Sequence, residues 1–156
     1  MTTWSISSMT LADIDIVLEI ENASFKTPWS RGFFEEEIAK EHSYCRIVRK
    51  EQVSGENPVI AYMIFRVLFD EMHIFKIAVD PKWRNKGIAS LLLCDSFREG
   101  VRAGATAAYL EVRQSNQVAI TFYSKSGFKI IGKRLNYYQE DREDALVMMK
   151  ILKGEL

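Results

Sequence analysis

The residues from Ile77 to Ala89, Ile-Ala-Val-Asp-Pro-Lys-Trp-Arg-Asn-Lys-Gly-Ile-Ala, carry the clearest chemical signal in the chain. An apolar strand (Ile77, Ala78, Val79) runs into a turn rich in cations, and Gly87 opens a long helical pattern whose first turn holds Ile88, Ala89 and Ser90. A helix start leaves backbone N–H groups unpaired and carries the positive end of the dipole. Its natural guest is an anion such as a pyrophosphate. Gly87 lets the backbone approach that guest, Ala89 is too small to block it, and Arg84, Asn85 and Lys86 can add polar contacts or charge. Neither G-x-x-x-x-G-K-[ST] nor G-x-G-x-x-G is present, so this is not one of the familiar nucleotide turns. Taken by itself, Arg-x-x-Gly-x-Ala also suits an ordinary helix start with exposed cations.

A second group follows: Leu110-Glu111-Val112-Arg113, then Ser115-Asn116, Ala119-Ile120, Phe122-Tyr123 and Gly127-Phe128. Strand alternation puts Tyr109, Glu111 and Arg113 on one face and Leu110 and Val112 on the other. A carboxylate aimed into a cleft there is expected to have a raised pKa, poised near neutrality. The blander readings are a solvated or ion-paired glutamate and a tyrosine used for packing. Asn116 caps the next helix under either reading. Cys94 has no evident base, and both it and Cys45 read as buried thiols in apolar segments of a reducing compartment. His42 and His73 are far apart and no Cys/His cluster has metal spacing, so no metal is expected.

The elements that must hold these residues read as follows. Thr10 caps a helix with Leu11, Ile14, Val17, Leu18 and Glu21 at helical spacing, and Ser30 caps another carrying Phe34 and Ile38. Strands are expected at Tyr44–Lys50, Val59–Leu68 and Met72–Val79, the last ended by Asp80-Pro81. A long helix spans Gly87 to Ala103, with Ala89, Leu93, Phe97 and Val101 stacked and Gly104 just past its end. A strand at Ala107–Val112, a helix ending at Gly127, and strands at Phe128–Lys133 and Ala145–Leu152 about a polar loop complete the chain. The order predicts a mixed α/β (α+β) sheet flanked by helices on both faces, in a single domain over 1–156.

Composition narrows the function classes. Hydrophobic residues are 47% and charged residues 27%, which gives a packed core with a polar surface rather than disorder. Lys plus Arg and Asp plus Glu number 21 each, and the missing basic excess argues against direct nucleic-acid binding. The longest apolar run, Val59 to Phe65, is far below the ~20 residues of a membrane span, and no basic-then-apolar leader is readable at the N-terminus. A cytoplasmic protein with no membrane partner is the expectation.

The Ile77–Ala89 segment resembles the acetyl-CoA motif of the GNAT acetyltransferases, [Q/R]-x-x-G-x-[G/A] directly after a strand. The second group resembles that family's L-x-V-x-x-x-N-x-x-A-x-x-x-Y-x-x-x-G-F. The resemblance implies the GNAT fold and acetyl-CoA as co-substrate, its pyrophosphate on the turn and its pantetheine along Ile77–Val79. It implies that Asn116 contacts the cofactor, that Tyr123 is the acid toward the sulfur and that Glu111 is the base acting through water. Pro28-Trp29-Ser30, Leu110–Arg113, Asn136-Tyr137-Tyr138 as a late loop, and Glu143-Asp144-Ala145 further resemble the RimI-type N-terminal-alanine acetyltransferases, which modify a small-subunit ribosomal protein. The expected partner is therefore a protein N-terminus, with Glu21, Glu36, Glu140, Asp141, Glu143 and Asp144 available as negative charge near its groove. Two alternatives are an enzyme of this family acting on a small amine or lysine, and a non-catalytic acyl-CoA-binding module. The late-loop match argues against the first, and Glu111 with Tyr123 argues against the second.

Overall fold

Alternating and continuous apolar runs build seven strands, and four amphipathic helices cover the sheet they form. The computed structural model describes residues 3–152. In chain order these are β1 (Thr3–Ser8), a 3-10 turn at Leu11–Asp13, α1 (Ile14–Ser24), α2 (Arg31–Ala39), β2 (Ser43–Glu51), β3 (Val59–Leu68), β4 (Glu71–Val79) and a second 3-10 turn at Pro81–Trp83. Then come α3 (Ile88–Arg102), β5 (Ala107–Arg113), α4 (Gln117–Lys125), β6 (Lys129–Tyr138) and β7 (Glu143–Ile151). The strands form one sheet in the order β1-β2-β3-β4-β5-β7-β6. Every neighbouring pair is antiparallel except β4 with β5. That parallel pair needs a crossover, and α3 supplies it.

Each sheet face has its own core. One holds Ile60, Met63, Phe65, Met72 and Ile74 with Leu92, Leu93 and Phe97 of α3 and Ile120 and Tyr123 of α4. The other holds Ile47, Tyr62, Ile64 and Ala78 with Ile14, Val17 and Ile20 of α1 and Phe34 of α2. The helices therefore lie on both faces, as the element order predicts. β3 is buried on both sides along nearly its whole length, which its unbroken apolar run requires.

Three details differ from the sequence reading. β1 is absent from the sequence reading, because Thr-Trp-Ser-Ile-Ser-Ser is short and mostly polar, yet it pairs with β2 from Thr3↔Glu51 to Ser8↔Arg46. Asn136-Tyr137-Tyr138, read as a late loop, ends β6 instead, beyond a register shift between Arg134 and Tyr138 where Asn136 takes φ 53°. Cys94 is exposed: it sits on the outer side of α3, away from the Leu92, Leu93, Ser96 and Phe97 face. Cys45 is buried as expected, and burial pushes its thiol up to about 11.

Candidate active site

β4 and β5 stay paired for only a short stretch, from Glu71↔Ala107 to Ile74↔Leu110. On its other side β4 slips by one residue: Ile74 faces Phe65 but Lys76 faces Ile64, leaving Phe75 as an extra residue. Such a bulge bends the strand that carries it. β4 and β5 part there, and a cavity of about 1000 Å³ opens with Ile77, Ala78 and Val79 on one side and Glu111, Val112 and Arg113 on the other. The gap passes through the sheet, so groups from both faces reach it.

From one face comes the start of α3. Asn85 (φ 61°) and Gly87 (φ 78°) are both left-handed, folding the turn so that the start of α3, whose first N–H groups have no partner within the helix, lines the cavity. A Cβ on Gly87 would meet nothing within 4 Å, so glycine is needed here for its backbone angle rather than for space. Ile77, Ala78, Val79, Arg84, Asn85, Gly87, Ile88, Ala89, Ser90 and Asn116 all line the cavity. Lys86 is exposed on the same turn and is not among the lining residues. Arg84 is partly engaged: its Nε donates to the Val79 carbonyl at 3.0 Å and its Nη2 to Ser24 Oγ at 3.1 Å, tying the turn to β4 and α1. The Asn116 side chain accepts from the Ala119 N–H at 3.1 Å and caps α4, as expected from its position.

Glu111 and Tyr123 line the same cavity, one from β5 and one from α4. Tyr123 is 7% exposed and packs against Phe122 and Phe128. Burial pushes its phenol well above the ordinary tyrosine value, so its proton is retained. Glu111 contradicts the expectation of a raised pKa. Burial is the largest single influence and pushes its carboxyl up, but the hydrogen bond from His73 and the charges of His73 and Arg134 together outweigh it. The net result lies below the usual glutamic acid value. His73 Nε2 is 2.6 Å from Glu111 Oε2, and Arg134 Nε is 3.4 Å from Oε1. Spacing could not reveal these partners, since His73 arrives from β4 and Arg134 from β6.

The sequence profile of the acetyltransferase (GNAT) family matches residues 14–128, which supply most of the residues that line this cavity. The chain belongs to the GNAT family. The Haemophilus ducreyi ribosomal protein bS18-alanine N-acetyltransferase is 35% identical over 147 residues, covering 92% of this chain and 97% of that protein. The crystal structure of the Escherichia coli ribosomal-protein-S18-alanine N-acetyltransferase superposes with a TM-score of 0.82 at 32% identity, covering 96% and 94% of the two chains. The Arabidopsis thaliana NAA60 structure in complex with acetyl-CoA has a TM-score of 0.85 at 15% identity, covering 97% and 100%, and shares the fold. The protein is an N-acetyltransferase.

The remaining wall of this GNAT cavity is made of side chains from distant segments. Arg113 reaches Glu140 (2.7 Å), Asp141 (2.8 Å) and Glu143 (3.1 Å), with its guanidinium over the Tyr138 ring. Thr27 Oγ1 donates to Glu140 at 3.0 Å and Lys26 lies 3.7 Å from Asp141, so the α1–α2 connection meets the β6–β7 turn across the opening. Glu21 is no rim residue: it is fully buried and accepts from the Trp29 N–H (3.0 Å), the Tyr62 hydroxyl and the Lys76 ammonium. Lys76 also lies against the Phe25 and Trp29 rings, and burial holds its pKa below the lysine norm despite Glu21. Of the other acidic candidates only Glu140 lines the cavity. Glu36 is exposed elsewhere on α2, while Asp144 accepts from the Asn136 N–H at 2.8 Å. Among the described residues no group of three or more metal-ligating side chains converges, and no helix is long and apolar enough to cross a membrane.

Proposed function

We propose that this enzyme transfers the acetyl group of acetyl-CoA to the α-amine of a protein N-terminus, with the N-terminal alanine of ribosomal protein bS18 as its acceptor. The observation that carries the reading is the shared lining of one through-sheet cavity by the α3 start, Glu111 and Tyr123. The relatives' named activity agrees with it. The unpaired N–H groups at Gly87–Ser90 suit a pyrophosphate, with Asn116 and the backbone of Ile77–Val79 alongside the rest of the cofactor. Lys86 would serve from the rim as added charge.

Glu111, through water, takes the proton that the acceptor ammonium must lose. The amine then attacks the thioester carbonyl, the C–N bond forms and the C–S bond breaks. Tyr123 delivers its proton to the departing sulfur, and the second proton shed by the acylated nitrogen restores the phenol, so the net release is the single proton held by Glu111; burial keeps the Tyr123 hydroxyl in its protonated form between turnovers.

A carboxylate below the usual range favours an easily deprotonated acceptor. At pH 7 the free-base form costs roughly 1 kcal/mol for an α-amine and ~4.6 kcal/mol for a lysine. The test is incubation with acetyl-CoA and a panel of N-terminal peptides, including one that opens with alanine followed by basic residues, read by mass spectrometry. The expected product carries one acetyl group on the α-amine, and blocking that amine abolishes it. Equal acetylation of lysines in the blocked peptide would replace this reading with the lysine one.

A further inference from the structure

The mechanism above leaves one ionisable group in direct contact with its base unused. His73 stands on β4 two residues before the bulge at Phe75, and its ring packs on Phe75 at 4.3 Å between centroids. Its Nε2 meets Glu111 Oε2 at 2.6 Å. Glu111 lines the cavity, but His73 does not, and its side chain is 37% exposed. The histidine therefore backs the carboxylate from the solvent side.

We infer that His73 is a positioning residue for Glu111, orienting the carboxylate through its Nε2–H and weakening it as a base whenever the imidazole is protonated. An ionised carboxylate can only accept, so the contact fixes the neutral histidine as its Nε2–H tautomer. That hydrogen bond engages Oε2, while Oε1 lies 3.4 Å from Arg134 Nε, so the carboxylate is held at both oxygens as it lines the cavity. Protonation at Nδ1 turns the neutral donor into an imidazolium, which stabilises the Glu111 carboxylate and lowers its readiness to take a proton. The other charged groups near the pair do not substitute for this. Arg134 and Tyr137 of β6 face Glu111, and neither gains or loses charge near neutrality. Arg66 of β3 lies opposite His73 in register but is engaged by Glu37 of α2, and Tyr109 of β5 is the remaining neighbour. Glu111 itself is held below the usual carboxylate range.

This rests on Glu111 being the base, and three variants separate the two ideas. In the parent, log kcat/KM for an alanine peptide should fall more steeply with acid than the single proton of the acceptor amine requires. In His73→Gln, which keeps an N–H donor that cannot titrate, the slope should fall to about one proton. His73→Leu should lose about tenfold in kcat at pH 8, the worth of a hydrogen bond to a charged group, with peptide KM little changed. Glutamine should restore part of that loss. If Glu111→Gln turns over like the parent, the base assignment fails and the role of His73 with it. If Glu111→Gln is inactive while both His73 variants keep the parental slope and rate, only the inference about His73 is overturned.

Discussion

The two walls of the cavity are made of different material. The α3 wall is backbone: a bulged strand, a left-handed turn and the open N–H groups of a helix, all within residues 75–90. The opposite wall is made of side chains drawn from α1, its connection to α2, β5, β6 and the β6–β7 turn, tied by Arg113 and by Lys76 with Glu21. A backbone site tolerates most substitutions that leave φ and ψ alone. A side-chain site is exposed to every partner it has. The first is suited to a ligand that never changes, the second to an acceptor that must be selected.

The seam between the walls should give the largest effect. Tyr123→Phe is expected to cut kcat by about 10²–10⁴-fold while cofactor and peptide affinity stay near parental values. A variant within a factor of about three of the parent would return Tyr123 to simple packing.

Next comes the buried pair of the side-chain wall. Lys76→Met should lower stability by about 3–5 kcal/mol, because it leaves the Glu21 carboxylate buried without its cation. Adding Glu21→Gln to that variant should recover part of the loss in thermal denaturation. If the double variant is no better than the single one, the pair is not what holds Phe25–Trp29 down.

The backbone wall is probed by Gly87→Val. Its strain comes from the positive φ, so about 1–2 kcal/mol, or roughly five- to thirtyfold, should be lost from acetyl-CoA affinity by calorimetry on folded protein. Lys86→Ala, at the exposed rim, should cost far less. Equal losses for the two would mean that charge, not backbone, holds the phosphates.

The smallest effect belongs to the exposed ion pairs. Arg113→Gln should raise peptide KM by about two- to fivefold with cofactor affinity unchanged, and added salt should narrow the difference. A cofactor defect in this variant would show that the two walls are not independent.

The same contrast explains what could be read from the sequence. Gly87, Asn116, Glu111 and Tyr123 lie in contiguous runs whose spacing mirrors one strand, one turn or one helix, and the cavity collects all four. The direction of the Glu111 pKa was missed because it depends on His73, 38 residues earlier in the chain. Glu21 looked like a rim charge because helical spacing cannot say that Lys76 and Tyr62 wait beneath it. The end of β6 looked like a loop because Asn136-Tyr137-Tyr138 has turn chemistry at Asn136, and that residue does adopt a left-handed angle within the strand. β1 is hard to read because its place at the sheet edge lets most of its residues be polar.

The short β4–β5 pairing has a further consequence for how the two substrates meet. Past Ile74 and Leu110 the two strands no longer share hydrogen bonds, so alternate amides of Ile77–Val79 turn toward an empty lane rather than toward a neighbouring strand. Deuterium should enter those amides far faster than the ones facing β3. A guest lying in the lane would act as a temporary eighth strand and slow that exchange, while the amides of Ile60 to Phe65 would hardly change. The sheet is then completed by what it binds, and a time course of amide exchange would show the moment of completion.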